Sequence, residues 1–183
     1  GCLNVAVSYL KGQGTEKHRP SGYKFMRLAC LYGQSNACKQ AGLDHFNGNQ
    51  VEKNLTLALE HFEKGCALNE PVSCLYGGIL RVDPALEFGQ PQIGIDYLDK
   101  SCKLKLGNAC EMLARVYYTG QGVPVDTERG VGLFAQACDL NNALGCEKGG
   151  RLFVKGQGVP KNVARGLELL KKGCQLKSEP SCA

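Results

Sequence analysis

The sequence lacks the features that mark membrane-spanning and nucleic-acid-binding chains. No apolar stretch approaches the ~20 residues that a membrane-spanning helix needs, and no signal peptide is visible at Gly1. The net charge of +5 is mild for 183 residues, and the basic residues form no dense run. Tryptophan is absent and histidine is scarce, with three residues. We therefore expect neither a membrane span nor a nucleic-acid partner.

Cysteine, in contrast, is abundant, and its positions are periodic. The 11 cysteines form two series in which each step is 36 residues. The first series is Cys2, Cys38, Cys74, Cys110, Cys146 and Cys182, and the second is Cys30, Cys66, Cys102, Cys138 and Cys174. A fixed period of this length is typical of repeat proteins, whose units must stack to bury their apolar faces.

Each repeat reads as two helices joined by a glycine turn. The stretch CEMLARVYY after position 109 predicts a first helix, which Gly120 ends because glycine adopts positive φ at low cost. The second helix begins after a polar position, held by Asn54, Asp126 or Asn162, and these residue types are strong N-caps. The pattern predicts an all-α fold, a right-handed α/α solenoid of about five helix–turn–helix repeats.

The third repeat carries Pro84 and Pro91 in place of the glycine turn, at unchanged length. We expect the same helix pair with a different connection there. We treat 1–183 as one domain with repeats at approximately 2–37, 38–73, 74–109, 110–145 and 146–181. The sequence ends before a complete repeat on the outer side of Cys2 and of Cys182, so we expect a fragment that is cut at both ends.

The chain resembles the Sel1-like repeat family. Small residues recur in both helices, and the turn Gly120-Gln121-Gly122-Val123 is similar to the turn of that family, as is the near-36 period. The C-x7-C pair in every repeat resembles the Helicobacter cysteine-rich protein type. The resemblance covers the whole chain, and it implies a tetratricopeptide-like helical solenoid, each repeat being stapled by a disulfide.

The cysteine spacing favours disulfides over metal. Zinc sites usually combine cysteine ligands three to five positions apart, whereas these pairs are eight apart and are separated from one another by a helix. We predict five disulfides, which leave Cys2 unpaired: Cys30–Cys38, Cys66–Cys74, Cys102–Cys110, Cys138–Cys146 and Cys174–Cys182. Persistent disulfides imply an oxidising compartment. We expect a secreted or periplasmic protein, with the mitochondrial intermembrane space as the alternative. We expect no cofactor and no metal site.

No convincing catalytic set is visible, and we assign no catalytic residue. His45 occupies a column of large side chains and is expected to pack, whereas His61 is expected to face solvent and His18 to lie in a loop. The resemblance implies penicillin binding or weak β-lactamase activity. Serine β-lactamases require S-x-x-K together with S-D-N and K-T-G. The chain has only S-x-x-K, at Ser8 to Lys11 and at Ser21 to Lys24.

One face of the first helices is predicted to bind a ligand. Positions two, five and nine after the cysteine lie opposite the core face, and they are expected to line the concave surface of the solenoid. From this face we select eight candidate ligand-binding residues: Gln40, Asn47, Tyr76, Met112, Arg115, Lys148, Arg151 and Lys155. The middle of the series is apolar and its C-terminal end is basic. A variable binding face and an unselected solvent face both fit this pattern.

Three functions follow from these observations. The first is a monomeric scaffold that binds a protein or peptide partner on its concave face. The second is a β-lactamase-like hydrolase, which the resemblance alone supports. The third is an assembly factor of the intermembrane space. We expect the first, because the repeats provide a surface but no convergent catalytic groups.

Overall fold

The computed structural model describes residues 1–49 and 51–176, and this part of the chain contains ten α-helices and no β-strand. The helices alternate between a first helix of each pair, called the A helix, and a second, called the B helix. The A helices are α1 (Cys2–Lys11), α3 (Ser35–Asn47), α5 (Pro71–Val82), α7 (Gly107–Thr119) and α9 (Ala143–Lys155). The B helices are α2 (Arg19–Leu31), α4 (Leu55–Ala67), α6 (Pro91–Lys103), α8 (Thr127–Asp139) and α10 (Val163–Gln175). The predicted all-α helix-pair solenoid class is confirmed.

The turn between an A helix and its B helix follows the predicted chemistry. Four A helices, α1, α3, α7 and α9, end at a glycine with φ near +70°, and Gly120 at φ 72° is an example. The following B helices start at side-chain caps. Asn54 accepts a hydrogen bond from the backbone N–H of Leu57 at 2.9 Å, and Asp126 does the same for Arg129 at 3.0 Å. These caps fix where each B helix begins.

The third pair keeps both helices but changes the connection, as predicted. Residues 83–90 replace the glycine turn, and the Asp83 carboxylate accepts the backbone N–H of Ala85 at 3.0 Å. Arg81 donates from Nη1 to the carbonyl of Phe88 at 2.9 Å and closes the loop. Helix α6 then starts at Pro91 after Gln90, whose side chain makes no capping hydrogen bond.

The connection from each B helix to the next A helix is a tight turn that a disulfide closes. The turn has a residue in the left-handed region three positions after the B-helix cysteine, at Gly33, Asn69, Lys105 and Asn141. Four of the predicted disulfides span these turns: Cys30–Cys38, Cys66–Cys74, Cys102–Cys110 and Cys138–Cys146, with Cα–Cα distances of 4.4 to 4.7 Å. Cys2 is a free thiol. The fifth predicted pair involves Cys182, which lies outside the described residues.

The chain divides into two compact units, 1–77 and 78–183. The core of the first unit includes Ala6, Ala37 and Ala41, which are fully buried, together with Met26. In the second unit helix α9 packs closely on α10, because a side chain on Gly150 would lie 2.9 Å from the carbonyl oxygen of Gly166. Small residues at this crossing therefore let the two backbones touch. The organisation of 1–183 as one domain stays a prediction.

Candidate functional site

A basic groove lies between the A helices α7 and α9 of the second unit. Its volume is about 460 Å³. Four of the predicted ligand-binding residues line it, namely Arg115, Lys148, Arg151 and Lys155. They lie close together because Arg115 is on α7 and the other three follow one face of α9, at positions two, five and nine after Cys146. The structure thus brings together the basic end of the predicted face.

The floor of the basic groove is apolar. Tyr118, Phe134 and Leu152 line it, and the rings of Tyr118 and Phe134 meet edge to face with centroids 6.2 Å apart. Phe134 comes from the B helix α8, in which Val131, Phe134 and Cys138 form a buried stripe. A ligand in this groove would therefore meet aromatic surface below and positive charge at the rim.

Two of the basic side chains are held by acidic partners, and two are not. Lys148 places Nζ 3.6 Å from Oε1 of the buried Glu111 and 5.5 Å from the centre of the Phe134 ring. Arg151 pairs with Glu147 at 3.4 Å. Arg115 and Lys155 form no ion pair with any described residue and are exposed. The groove consequently keeps an excess of positive charge that an anionic ligand can neutralise.

The remaining predicted ligand-binding residues lie elsewhere. Gln40 is exposed and donates from Nε2 to Oδ1 of Asp44 at 2.9 Å. Tyr76 is half-buried and packs against Phe46 and Phe62, with ring centroids 5.2 and 5.3 Å away. Asn47 is exposed and Met112 is half-buried, and neither lines the basic groove. Their role in binding, and the concave shape of the surface, stay predictions.

A cluster of buried polar rings in the first unit was only partly expected. His45 is buried as predicted, and its ring stacks on that of His61 with centroids 5.7 Å apart, while Tyr23 meets His45 edge-on at 5.2 Å. The expectation that His61 faces solvent is wrong, since His61 is 5 % exposed. Five residues before the B-helix cysteine, the other repeats carry Phe25, Tyr97, Leu133 and Leu169. That column of large side chains was the signal that His61 is a packing residue.

Burial dominates the electrostatics of this cluster. It lowers the pKa of His61 to about 4, and the neighbouring charges of His45, Lys64 and Arg27 act in the same direction. Burial, and after it the carboxylate of Asp44, raise the pKa of Tyr23, whose hydroxyl donates to the carbonyl of Ala41 at 3.0 Å. His61 and Tyr23 are therefore neutral at pH 7, and the rings of the cluster pack the helices against one another.

The two S-x-x-K segments do not form a catalytic pair. Ser8 makes no side-chain hydrogen bond with any described residue, and Lys11 is exposed at the end of α1. Ser21 has Oγ 2.8 Å from Nδ1 of His18, and the same nitrogen accepts the backbone N–H of Ser21. The contact is the N-cap of helix α2, so His18 and Ser21 have a local structural explanation.

No three His, Cys, Asp or Glu residues within 1–49 and 51–176 converge so that they could hold a metal ion. No helix in this part of the chain combines the length and hydropathy that a membrane span requires. A larger hollow of about 640 Å³ lies at Pro124, Val125 and Gly158. Two acids line it, Asp126 and Glu128, and Asp126 is engaged as a helix cap, so the basic groove is the stronger candidate.

Comparisons with known proteins agree with this architecture. The family model described as Sel1 repeat matches residues 1–33, 35–70, 107–142 and 143–178, which is more than half of the chain. The gap between matches coincides with the third pair, whose connection differs. A comparison with curated protein sequences gives no significant match.

Among solved structures, the chain is similar to three repeat proteins. The Helicobacter pylori cysteine-rich protein B is 32% identical, with a TM-score of 0.57 over 74% of this chain and 97% of that protein. The protective antigen c5321 of uropathogenic Escherichia coli has a TM-score of 0.83 at 23% identity, covering 98% of this chain. A Sel1 repeat protein of Oxalobacter formigenes has a TM-score of 0.76 at 20% identity, over 95% of this chain and 71% of that one. The chain spans 38% of the length of c5321.

Proposed function

This chain belongs to the Sel1 repeat family, and we propose that it is a scaffold that binds an extended peptide and holds a carboxylate of that peptide in the basic groove. The observation that carries the proposal is the convergence of Arg115, Lys148, Arg151 and Lys155 above an aromatic floor. A guanidinium or ammonium group and a carboxylate form charge-assisted hydrogen bonds, which are stronger than neutral ones.

The chemistry of the basic groove limits the class of peptide that fits it. Tyr118, Phe134 and Leu152 offer apolar surface directly beside the basic groups. A peptide end that carries a large apolar side chain next to its carboxylate would use both features. We therefore propose a partner chain whose last residue is apolar and carries the free terminal carboxylate.

The disulfides support a location outside the reducing cytosol. Each of the four described bonds closes a turn between two helices, so each has a structural role. Bonds of this kind persist in oxidising compartments and are rare in the cytosol. We propose that the scaffold is secreted or periplasmic and that its partner is a protein or peptide of the same compartment.

The test uses peptides with free and amidated ends. Dye-labelled peptides that end in phenylalanine or leucine are titrated with the protein at low salt and followed by fluorescence anisotropy. We expect the free acids to bind at least tenfold more tightly than the amides. The double charge reversal R151E/K155E should remove that preference, and the difference should shrink at high salt because exposed charges are screened.

The matched control reverses two exposed lysines of the same unit that lie outside the groove, in the variant K161E/K171E. It changes the net charge equally, so its affinity should stay within about threefold of the parent if the groove is the site. Equal binding of acids and amides, or unchanged affinity of R151E/K155E at low salt, would disprove the proposal.

A further inference from the structure

A second pocket occurs at the same register in the first unit, between the A helices α1 and α3. Its volume is about 310 Å³, and it is lined by Val7, Leu10, Lys11, Met26, Gln40 and Asp44. Leu10 lies eight residues after its helix cysteine, as Tyr118 does, and Met26 lies four before Cys30, as Phe134 does before Cys138. The two pockets are therefore equivalent positions on the repeat, filled with different chemistry.

The second repeat, together with Tyr76 from the start of the third, shows that such a position can also be closed. There Phe46, Phe62 and Tyr76 form a cluster of aromatic rings with centroids 5.2 to 6.3 Å apart. Phe46 corresponds to Leu10, and Phe62 corresponds to Met26. Tyr76 closes the position, because it lies two residues after its helix cysteine, where the open pockets have Gln40 and Lys148, and its ring packs on Phe46 and Phe62.

Asp44 is the unusual member of this pocket. Its residue is 2 % exposed, and Oδ1 accepts the hydrogen bond from Gln40, but Oδ2 is buried without a hydrogen-bond partner. No described cation forms an ion pair with it. A buried polar atom without a partner is costly, so the free pocket is incomplete.

We propose that this pocket binds a basic side chain, lysine or arginine, of a partner peptide, with the charged end paired to Asp44 and the alkyl stem against Val7, Leu10 and Met26. The apolar walls fit the methylene stem of such a side chain, which packs on apolar surface while its head remains polar. The volume lies at the lower end of ligand pockets and suits one side chain.

A metal ion fits the pocket less well. Calcium requires six to eight oxygen ligands, whereas this pocket offers one carboxylate and the amide of Gln40. Burial raises the pKa of Asp44, whereas the Gln40 hydrogen bond and the charge of His45 oppose that rise. A bound ammonium or guanidinium group would lower that pKa and supply the missing donor.

The experiment measures binding of single-residue probes by NMR. The probes are Nα-acetyl-lysine amide and Nα-acetyl-arginine amide, and the control is Nα-acetyl-norleucine amide, which has the stem without the charge. We expect saturable shifts of the Gln40 and Asp44 amide signals with the basic probes and little change with norleucine. Shifts of equal size with norleucine, or no saturable shift with either basic probe, would overturn the proposal.

Three variants assign the binding to Asp44. The change Asp44→Asn keeps the shape and removes the charge, and it should weaken both basic probes about tenfold or more. Glu60→Gln removes the same charge from an exposed site of the same unit and should leave affinity within about twofold. Lys11→Gln removes a competing ammonium from the pocket wall and should tighten binding.

Two results with the variants would contradict this assignment, namely parent-like affinity in Asp44→Asn or equal losses in Asp44→Asn and Glu60→Gln. The result is independent of the basic groove, because all residues that line this pocket belong to the unit 1–77 and those of the groove to 78–183. Peptide acids bound by the groove should respond to R151E/K155E and not to Asp44→Asn, so the two proposals fail separately.

Discussion

His61 shows how a single buried side chain couples stability to pH. Its pKa lies at about 4 in the folded protein, mainly because burial disfavours the charged imidazolium. In the unfolded chain the pKa returns to about 6.5. Between about pH 4 and pH 6.5 the unfolded state therefore binds the proton more readily than the folded state does. The contribution of His61 to stability is complete above pH 6.5 and is lost as the pH falls toward 4.

We expect the change His61→Phe to remove this part of the pH dependence. Phenylalanine occupies the same repeat position at Phe25, where it stacks on Tyr9 with centroids 5.8 Å apart, so the site is suited to it. The parent should lose roughly 3 kcal/mol more stability than the variant between pH 7 and pH 4. Urea denaturation at a series of pH values measures this difference.

The control for this experiment is His18→Asn, which replaces an exposed histidine and preserves an N-cap side chain. Its stability profile should run parallel to that of the parent over the same pH range. A parent and His61→Phe with the same slope from pH 7 to 4 would show that His61 titrates normally in the folded chain.

At the scale of helices, the start of α6 is the weak point among the described B helices. The other four receive a side-chain hydrogen bond from their N-cap residue, whereas Gln90 provides none. The backbone of Gln90, with φ −143° and ψ 84°, is close to that of Asp126 at φ −134° and ψ 84°. The geometry for a cap is therefore present and only the side chain is unsuitable.

The substitution Gln90→Asp should stabilise the protein by about 1 kcal/mol, because a carboxylate can accept an orphan backbone N–H and interact with the helix dipole. The midpoint of thermal unfolding should rise. The reciprocal change Asp126→Ala should lower it by a similar amount, since it removes an existing cap. A Gln90→Asp protein that is no more stable than its parent would mean that the altered loop holds the cap position away from the helix.

The sequence predicted the helix pairs because their caps and glycine turns are local signals. It did not predict the left-handed backbone at Asn69, Lys105 and Asn141, although asparagine adopts this region more readily than most residues. The basic groove was anticipated from its register, because Arg151 and Lys155 are exposed on one helix face. Asp44 was missed, because three of its four equivalent positions, Leu80, Val116 and Leu152, are apolar, and only the packing reveals its unpaired oxygen.

At the scale of the whole molecule, stability depends on contacts between neighbouring helix pairs, as in other repeat proteins. The disulfides link the end of one B helix to the start of the next A helix, so they constrain those contacts. By the loop-entropy model, a closed loop of this size contributes roughly 2–3 kcal/mol. The four bonds together are thus comparable with the stability of an ordinary domain, about 5–15 kcal/mol.

Removing one pair, in the variant C66S/C74S, should therefore lower the midpoint of denaturant unfolding clearly. Cys2→Ser is the control, because Cys2 is a free thiol and its loss breaks no bond. Circular dichroism in increasing urea gives the midpoints, and alkylation of the unreduced parent should label Cys2 and none of the eight cysteines in the four described bonds. Equal midpoints for C66S/C74S and Cys2→Ser would show that the disulfide contributes nothing to stability.

The closed turns also affect what proteolysis does to the chain. Lys105 is exposed within the turn that Cys102 and Cys110 enclose. Trypsin can cut after a lysine at such a turn, but the two new ends remain joined through sulfur. A nick at this position would change the mass by one water and leave no separate fragments until a reductant is added. The bridge that shapes the turn thus also keeps the chain joined after a cut within it.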